Sequence, residues 1–277
     1  MNDFWVHNIN PVMFSIWRLD VRWYAFMFML SFLIGYLFII KNMKKMNVDI
    51  SRDKYESFVF TLMISILIGG RLGYTFFYDF SYTILNPLSI FAVWRGGMSF
   101  HGGAIGCIVA GLLFSRKNKY NFYSLADPAM PIVAIGIGLV RIGNFINAEL
   151  FGTETTVPWA VIFRGHPNHP FFPVDPYMLP RHPSQLYQAF VEGFILAVIL
   201  QIMLFKVKTK GIVFWSFIGL YGIGRFFIEY FRTPDLHLSI YTDGLLFSTL
   251  PISMGQLFSI IMVTLASIGF YFVLRKK

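Results

Sequence analysis

Seven stretches of the chain, near 21–40, 57–78, 96–115, 129–146, 184–205, 211–231 and 252–274, are almost uninterruptedly apolar. A helix rises about 1.5 Å per residue, so each is long enough to cross a bilayer hydrocarbon core of roughly 30 Å. Water offers such a chain no fold. Only 13% of the residues are charged, against roughly 25% in ordinary soluble domains, and 32 phenylalanines add apolar area that this polar surface could not cover. The expected architecture is an all-α polytopic membrane protein with seven transmembrane helices, organised as a single integral membrane domain over residues 1–277.

Charge supplies the orientation. Of the 23 Lys and Arg residues, fourteen fall after spans one, three, five and seven: Lys41, Lys44, Lys45, Arg52, Lys54, Arg116, Lys117, Lys119, Lys206, Lys208, Lys210, Arg275, Lys276 and Lys277. Six fall on the opposite side: Arg18, Arg22, Arg95, Arg164, Arg181 and Arg232. Cytoplasmic loops carry the excess of basic residues, so the N-terminus is expected outside and the C-terminus in the cytoplasm. The net charge of +9 then reads as a topology signal, and no nucleic-acid partner is expected. Residues 1–20 carry Asp3 and Asp20 and show no basic n-region or cleavage site, so span one is expected to remain as an anchor. The segment 148–182 holds Pro158, Pro167, Pro170, Pro173, Pro176 and Pro180. It exceeds the usual length of a structureless loop, roughly 12–15 residues, and is expected to form a small external cap.

Several function classes fall away. One cysteine, Cys107, excludes an internal disulfide framework, a redox pair or a cysteine zinc site, and packing is its simplest role. His166, His169 and His182 lack metal-ligand spacing, so no metal and no cofactor are expected. Gly136-x-Gly138 and Gly222-x-Gly224 lie within spans rather than in a βαβ context and are not nucleotide loops.

The remaining three cations, Arg71, Arg141 and Arg225, lie inside spans, as does Glu229. A charge at a membrane helix centre costs about 2.5–3.5 kcal/mol, which asks for a compensating reason. By the assigned topology these residues sit towards the outer ends of spans two, four and six. Tyr24, His101, His182 and Ser184 mark the outer ends of spans one, three and five, so the polar groups converge near the outer leaflet. Tyr221, Arg225 and Glu229 form one stripe at i, i+4, i+8; Arg141 and Asn144 are i, i+3 neighbours, with Glu149 just beyond. Arginine forks in an apolar setting suit a bidentate grip on phosphate or carboxylate. His101 heads a glycine-rich turn with Gly102, Gly103 and Gly106. Its imidazole is a natural general base, and Gly102 and Gly106 have the spacing of a helix-packing face. A lipid or organic-anion transporter is the alternative, although no chain of charges reaches the cytoplasmic side. A serine protease built on Ser99 and His101, or on Ser184 and His182, would place its Ser and His on facing helices instead.

The segments Arg22-Trp23-Tyr24, His101-Gly102-Gly103, Arg141-Ile142-Gly143-Asn144-Phe145-Ile146-Asn147-Ala148-Glu149, Arg181-His182-Pro183-Ser184-Gln185-Leu186-Tyr187 and Tyr221-Gly222-Ile223-Gly224-Arg225-Phe226-Phe227-Ile228-Glu229 resemble, in order and over nearly the whole chain, the bacterial prolipoprotein diacylglyceryl transferases. Val140 stands where the family usually has glycine, and Gln188 where it usually has an acid. The resemblance implies transfer of the sn-1,2-diacylglyceryl group from phosphatidylglycerol to the lipobox cysteine thiol of a prolipoprotein signal peptide. The products it implies are a thioether-linked lipid and glycerol 1-phosphate, formed at the outer face of the bacterial cytoplasmic membrane. It also implies a phosphatidylglycerol site of Arg141, Asn144, Glu149, Arg225, Glu229, Gly102 and Gly103, with His101, Arg225, Tyr24 and Tyr221 acting in the chemistry.

Overall fold

The computed structural model describes residues 4–17, 19–77, 79–92, 97–164, 178–233 and 252–275. All seven apolar stretches are helical: α1 (Trp23–Lys45), α2 (Arg52–Phe77), α4 (Phe100–Lys117), α5 (Phe122–Ile146), α6 (Ser184–Gln188) continuing into α7 (Leu196–Lys206), α8 (Ile212–Ile228) and α9 (Met254–Arg275). A short α3 (Phe80–Leu85) and a 3-10 turn (Pro87–Phe91) follow α2. Six of these helices, all but α4 and the short α3, are long and apolar enough to cross a bilayer, α6 and α7 counting as one. The expected seventh, α4, has 18 residues and falls short in composition. His101, four glycines and the terminal Arg116 and Lys117 lower its hydropathy.

Helix ends follow the local chemistry. The Ser99 side chain caps α4 by accepting from the Gly102 amide at 3.2 Å, and Arg116 and Lys117 occupy the last turn of that helix, where cations oppose its dipole. Before α9, Ser253 and Gln256 form a capping box: the Gln256 amide donates to Ser253 Oγ (3.1 Å), and the Ser253 amide donates to Gln256 Oε1 (3.0 Å).

The chain divides into two compact units, residues 40–128 and residues 1–39 with 129–277. In the first, α2 and α4 meet along small residues. Gly69 and Gly73 face Gly102 so closely that a Cβ at Gly102 would run into the Gly69 carbonyl, and Gly106 packs on the Ser65 carbonyl. Without a hydrophobic driving force between helices in lipid, such close backbone approach supplies the attraction. Cys107 packs beside Ser65, 3.7 Å from its hydroxyl, and the rings of Phe58 and Phe114 meet at a tilt of 54°, with centroids 5.1 Å apart.

In the second unit α8 and α9 pack through Gly219 against Ala266, Gly222 against Ser259 and Met262, and Gly269 against the Trp215 indole. Gly138 of α5 lies against Gly193. The Gly136-x-Gly138 and Gly222-x-Gly224 pairs are thus places where helices approach. A three-stranded sheet completes the unit. β1 (Trp5–His7) runs parallel to β4 (Val161–Phe163), which pairs antiparallel with β5 (Pro180–Arg181). Ala148, Val161 and Phe163 form its buried core, joined by Phe145 and Phe151. A separate hairpin, β2 (Val12–Ile16) with β3 (Leu19–Arg22), leads into α1. The described part of 148–182 therefore contributes two strands to a sheet; residues 165–177, with His166 and His169, lie outside the described residues.

Candidate active site

The end of α5 builds the centre of the site. Asn147 to Leu150 hook back under the helix, with Ala148 and Leu150 in the left-handed region (φ 56° and 57°). The Asn147 amide donates to the Gly143 carbonyl, and the Glu149 amide to the Asn144 carbonyl. This hook returns the Glu149 carboxylate to its own helix, where Oε1 accepts from Asn144 Nδ2 at 2.7 Å and from Asn147 Nδ2 at 3.2 Å. With its amide nitrogen committed, Asn144 turns Oδ1 towards Arg141, which donates from Nη1 at 3.3 Å. Arg141 is therefore oriented through a relay: the carboxylate fixes the amide and the amide fixes the fork. Gly143 leaves room for α1, whose Tyr24 Cα would stand 3.2 Å from any Cβ there. The charges of Arg141 and Glu149 both act on the Tyr24 phenol.

From α8, Tyr221 is 6% exposed and its phenol hydrogen-bonds Arg141 while feeling the charge of Arg225. One turn on, Arg225 pairs with Glu229, Nη2 to Oε2, at 2.7 Å. Glu229 is held in turn by the α9 cap, since Ser253 Oγ donates to its Oε1 at 3.1 Å. Gly255 lies against this carboxylate, which a Cβ would meet at 2.5 Å. The expected i, i+4, i+8 stripe of Tyr221, Arg225 and Glu229 is thus one face of α8 in use. Seven predicted residues, Tyr24, Arg141, Asn144, Glu149, Tyr221, Arg225 and Glu229, gather in this unit.

The other three belong to the unit 40–128. His101 is exposed at the second position of α4, with its ring edge-on to Phe100 at 5.8 Å. Gly102 is used in packing on α2, and Gly103 is in ordinary contact with Ile66. Arg71, the third arginine inside a span, is engaged by main-chain carbonyls. Its Nε donates to the Ile90 carbonyl (3.0 Å), Nη1 to that of Gly97 (3.2 Å) and Nη2 to that of Ser89 (2.6 Å). Buried at 5% exposure, this guanidinium ties the segment after α2 to the helix.

The Arg181–Tyr187 motif serves as a brace. Ser184 Oγ donates to the Leu150 carbonyl (3.2 Å) and Gln185 Nε2 to the Glu149 carbonyl (2.6 Å), clamping the hook that carries Glu149. The Tyr187 hydroxyl accepts from Trp159 Nε1 at 2.7 Å and lies 3.1 Å from His182 Nδ1. Burial lowers the His182 pKa below its ordinary value. Both serine-histidine pairs lose their catalytic reading, because Ser99 caps a helix and Ser184 is bonded to backbone while His182 faces a tyrosine.

Four contributing residues had no place in the expected site. Gly152 is wedged between the Phe231 and His182 carbonyls, leaving no space for a Cβ, and its amide donates to the latter at 2.9 Å. A glycine in an irregular loop carries no signal of that. Ser253 and Gln256 were legible as an S-x-x-Q cap ahead of an apolar run, although their contact with Glu229 was not. Glu192, an acid inside the apolar stretch 184–205, is 1% exposed, and the charges of Arg141, Arg225, Arg232 and Glu229 act on it.

Comparison with known proteins identifies the family. Residues 11–272 match the family model described as prolipoprotein diacylglyceryl transferase. A phosphatidylglycerol–prolipoprotein diacylglyceryl transferase of Geobacter sulfurreducens is 43% identical over 270 residues, covering 98% of this chain and 97% of that protein. Proteins of the same name from Photobacterium profundum and Pseudomonas putida are 42% identical over 252 residues (91% of this chain, 88% of theirs) and 43% over 261 residues (94% and 92%).

Proposed function

The chain belongs to the prolipoprotein diacylglyceryl transferase family, and from that membership we propose that it moves the sn-1,2-diacylglyceryl group of phosphatidylglycerol onto the lipobox cysteine thiol of a prolipoprotein signal peptide. The sulfur attacks the sn-3 carbon of the diacylglyceryl group and the carbon–oxygen bond to phosphate breaks. The bonding pair passes to the phosphate oxygen, and glycerol 1-phosphate leaves. The observation that carries this reading is the meeting of two guanidinium charges, Arg141 and Arg225, on one buried phenol, Tyr221. Anchored forks whose donors need not reorganise suit the charge that builds on a departing phosphate. Asn144, Glu149 and Glu229 keep those forks in place, and Tyr24 and Tyr221 orient the phosphate.

The thiol proton, bound with an unperturbed pKa of about 8.5, passes to His101, the general base of this scheme. Gly102 and Gly103 keep the backbone beside that imidazole free of side chains. The protein is a multi-pass membrane enzyme. In the arrangement we favour it is one membrane domain in which α4 is the seventh span, about 27 Å long by its rise. The N-terminus is outside, the C-terminus in the cytoplasm, and 148–182 forms an external cap. The site then faces the outer leaflet of the bacterial cytoplasmic membrane, the side to which an exported signal peptide brings its thiol. Family membership favours this reading over the transporter alternative.

The test uses purified protein in detergent with phosphatidylglycerol labelled in its headgroup glycerol. Water-soluble labelled glycerol phosphate is expected only when a lipobox peptide is present, and a Cys→Ser peptide should abolish its release. Release that ignores the peptide, or none from a monodisperse protein, would contradict the transferase reading.

A further inference from the structure

Between α6 and α7 the helix passes through a π-helical turn, Ala189–Ile195. Such a turn fits one extra residue into the helix and is found mostly where function requires it. Here it is pinned on two sides: Gly138 of α5 lies against the Ala189 carbonyl and Gly193, and Gly224 of α8 against Val191 and the Glu192 side chain. The turn and the last residue of α6 bury two polar side chains four residues apart, Gln188 at 0% and Glu192 at 1% exposure. Among the described residues neither amide atom of Gln188 and neither carboxylate oxygen of Glu192 has a hydrogen-bond partner. On the same helix Gln185 is half met, its Nε2 given to the Glu149 carbonyl while its Oε1 has no partner among the described residues. Four unmet polar atoms in the interior of an apolar helix bundle call for a polar guest.

Their neighbours say which guest. The charges acting on Glu192 are those of Arg141, Arg225, Arg232 and Glu229, and Glu192 acts in turn on Tyr221. The unmet atoms therefore belong to the cluster that would hold the donor's phosphate, and the group esterified to that phosphate in phosphatidylglycerol is a second glycerol with two free hydroxyls. We propose that Glu192 and Gln188 bind those two hydroxyls and thereby select phosphatidylglycerol among phospholipids; this rests on the transferase reading above. Two hydroxyl donors match the two oxygens of a carboxylate, and the amide can both donate to and accept from a hydroxyl. An ethanolamine or choline headgroup would bring a cation beside three arginines. A headgroup without hydroxyls would leave the buried atoms unmet, which is how sites built for a hydroxyl reject analogues lacking one.

The experiment compares two donors in the purified enzyme with a lipobox peptide: phosphatidylglycerol and phosphatidylpropanol, which keeps the phosphate diester and the three-carbon headgroup but has no hydroxyl. The measured quantity is the ratio of their kcat/KM values, from which the fraction of folded enzyme cancels. Glu192→Gln and Gln188→Met should each lower this ratio at least about tenfold, with phosphatidylpropanol turnover per folded enzyme changing less than about threefold. An unchanged ratio in both variants, or an equal loss on both donors, would overturn the proposal while leaving the transferase reading intact. Wild-type protein that transfers from neither donor would overturn both.

Discussion

Two arginines, each inside an apolar helix, have different fates, and the difference lies in what their forks touch. Arg71 spends its donors on three main-chain carbonyls, whereas Arg141 is turned by Asn144 and bonded to Tyr221. Lysine keeps the charge but not the fork. Arg141→Lys should lower kcat/KM about 100-fold or more, the usual effect of removing a preorganised donor from a developing anion. Arg71→Lys should instead destabilise the protein by roughly 2–4 kcal/mol, because buried carbonyls lose charged donors. Steady-state kinetics beside thermal unfolding in one detergent separates the two. A stable but inactive Arg71→Lys protein would return Arg71 to the site. Sequence position could not make this distinction: the carbonyls that capture Arg71 come from the irregular segment after α2, which has no pattern of its own.

Secondary structure was legible where lipid imposes one answer. A backbone in hydrocarbon must satisfy its own hydrogen bonds, so long apolar runs become helices, and all seven did so, α5 starting seven residues before its expected place and every other end lying within five residues of its own. The spacing of Gly102 and Gly106 also announced a packing face, and α2 supplies its partner in Gly69 and Gly73. Gly102→Leu should prise α2 from α4 and sharply lower the yield of monodisperse protein, whereas Gly35→Leu, where a Cβ meets only the Ile39 side chain at 3.8 Å, should leave it near wild type. The β1–β4–β5 sheet was not legible, because it joins residues 5–7 to 161–163 across most of the chain and neither strand is longer than three residues. Its weak point is His7, 3% exposed among Trp5, Phe145 and Phe163, with its pKa lowered chiefly by burial. A histidine depressed in the folded state takes up protons first in the unfolded state, so stability should fall as pH drops below about 6.5 and level off below the folded value. The protection factors of the sheet amides, which are exchange rates corrected for the intrinsic fall of base-catalysed exchange with pH, should drop as the pH is lowered from 7.5 to 5.5, and His7→Phe should remove that part of the acid dependence. An equal drop in the variant would acquit His7.

At the scale of the whole molecule, charge distribution and family membership carry more than any single contact. The bias of Lys and Arg towards one set of connecting segments leads to a topology with a direct test. A cysteine at Thr155, in a Cys107→Ala background, should react with an impermeant maleimide in intact spheroplasts, and one at Lys119 only after permeabilisation. The reverse pattern would invert the protein and move its site to the cytoplasm. Much of the candidate site could be read from motifs because Arg141, Asn144 and Glu149, like Tyr221, Arg225 and Glu229, are near neighbours in sequence. What stayed hidden were the supports that arrive from elsewhere in the chain, namely Ser184 and Gln185 behind Glu149, Ser253 behind Glu229, and Gly152 at a backbone crossing.

The central claim is that the bond formed joins the peptide's sulfur to a glycerol carbon. Mass spectrometry of a lipobox peptide after incubation with the enzyme and phosphatidylglycerol tests it most directly. The expected product gains one diacylglyceryl group on cysteine, and after neutral hydroxylamine that mass persists, as a thioether requires. A peptide that gains a single acyl chain and loses it to hydroxylamine, or that gains nothing, would contradict the account.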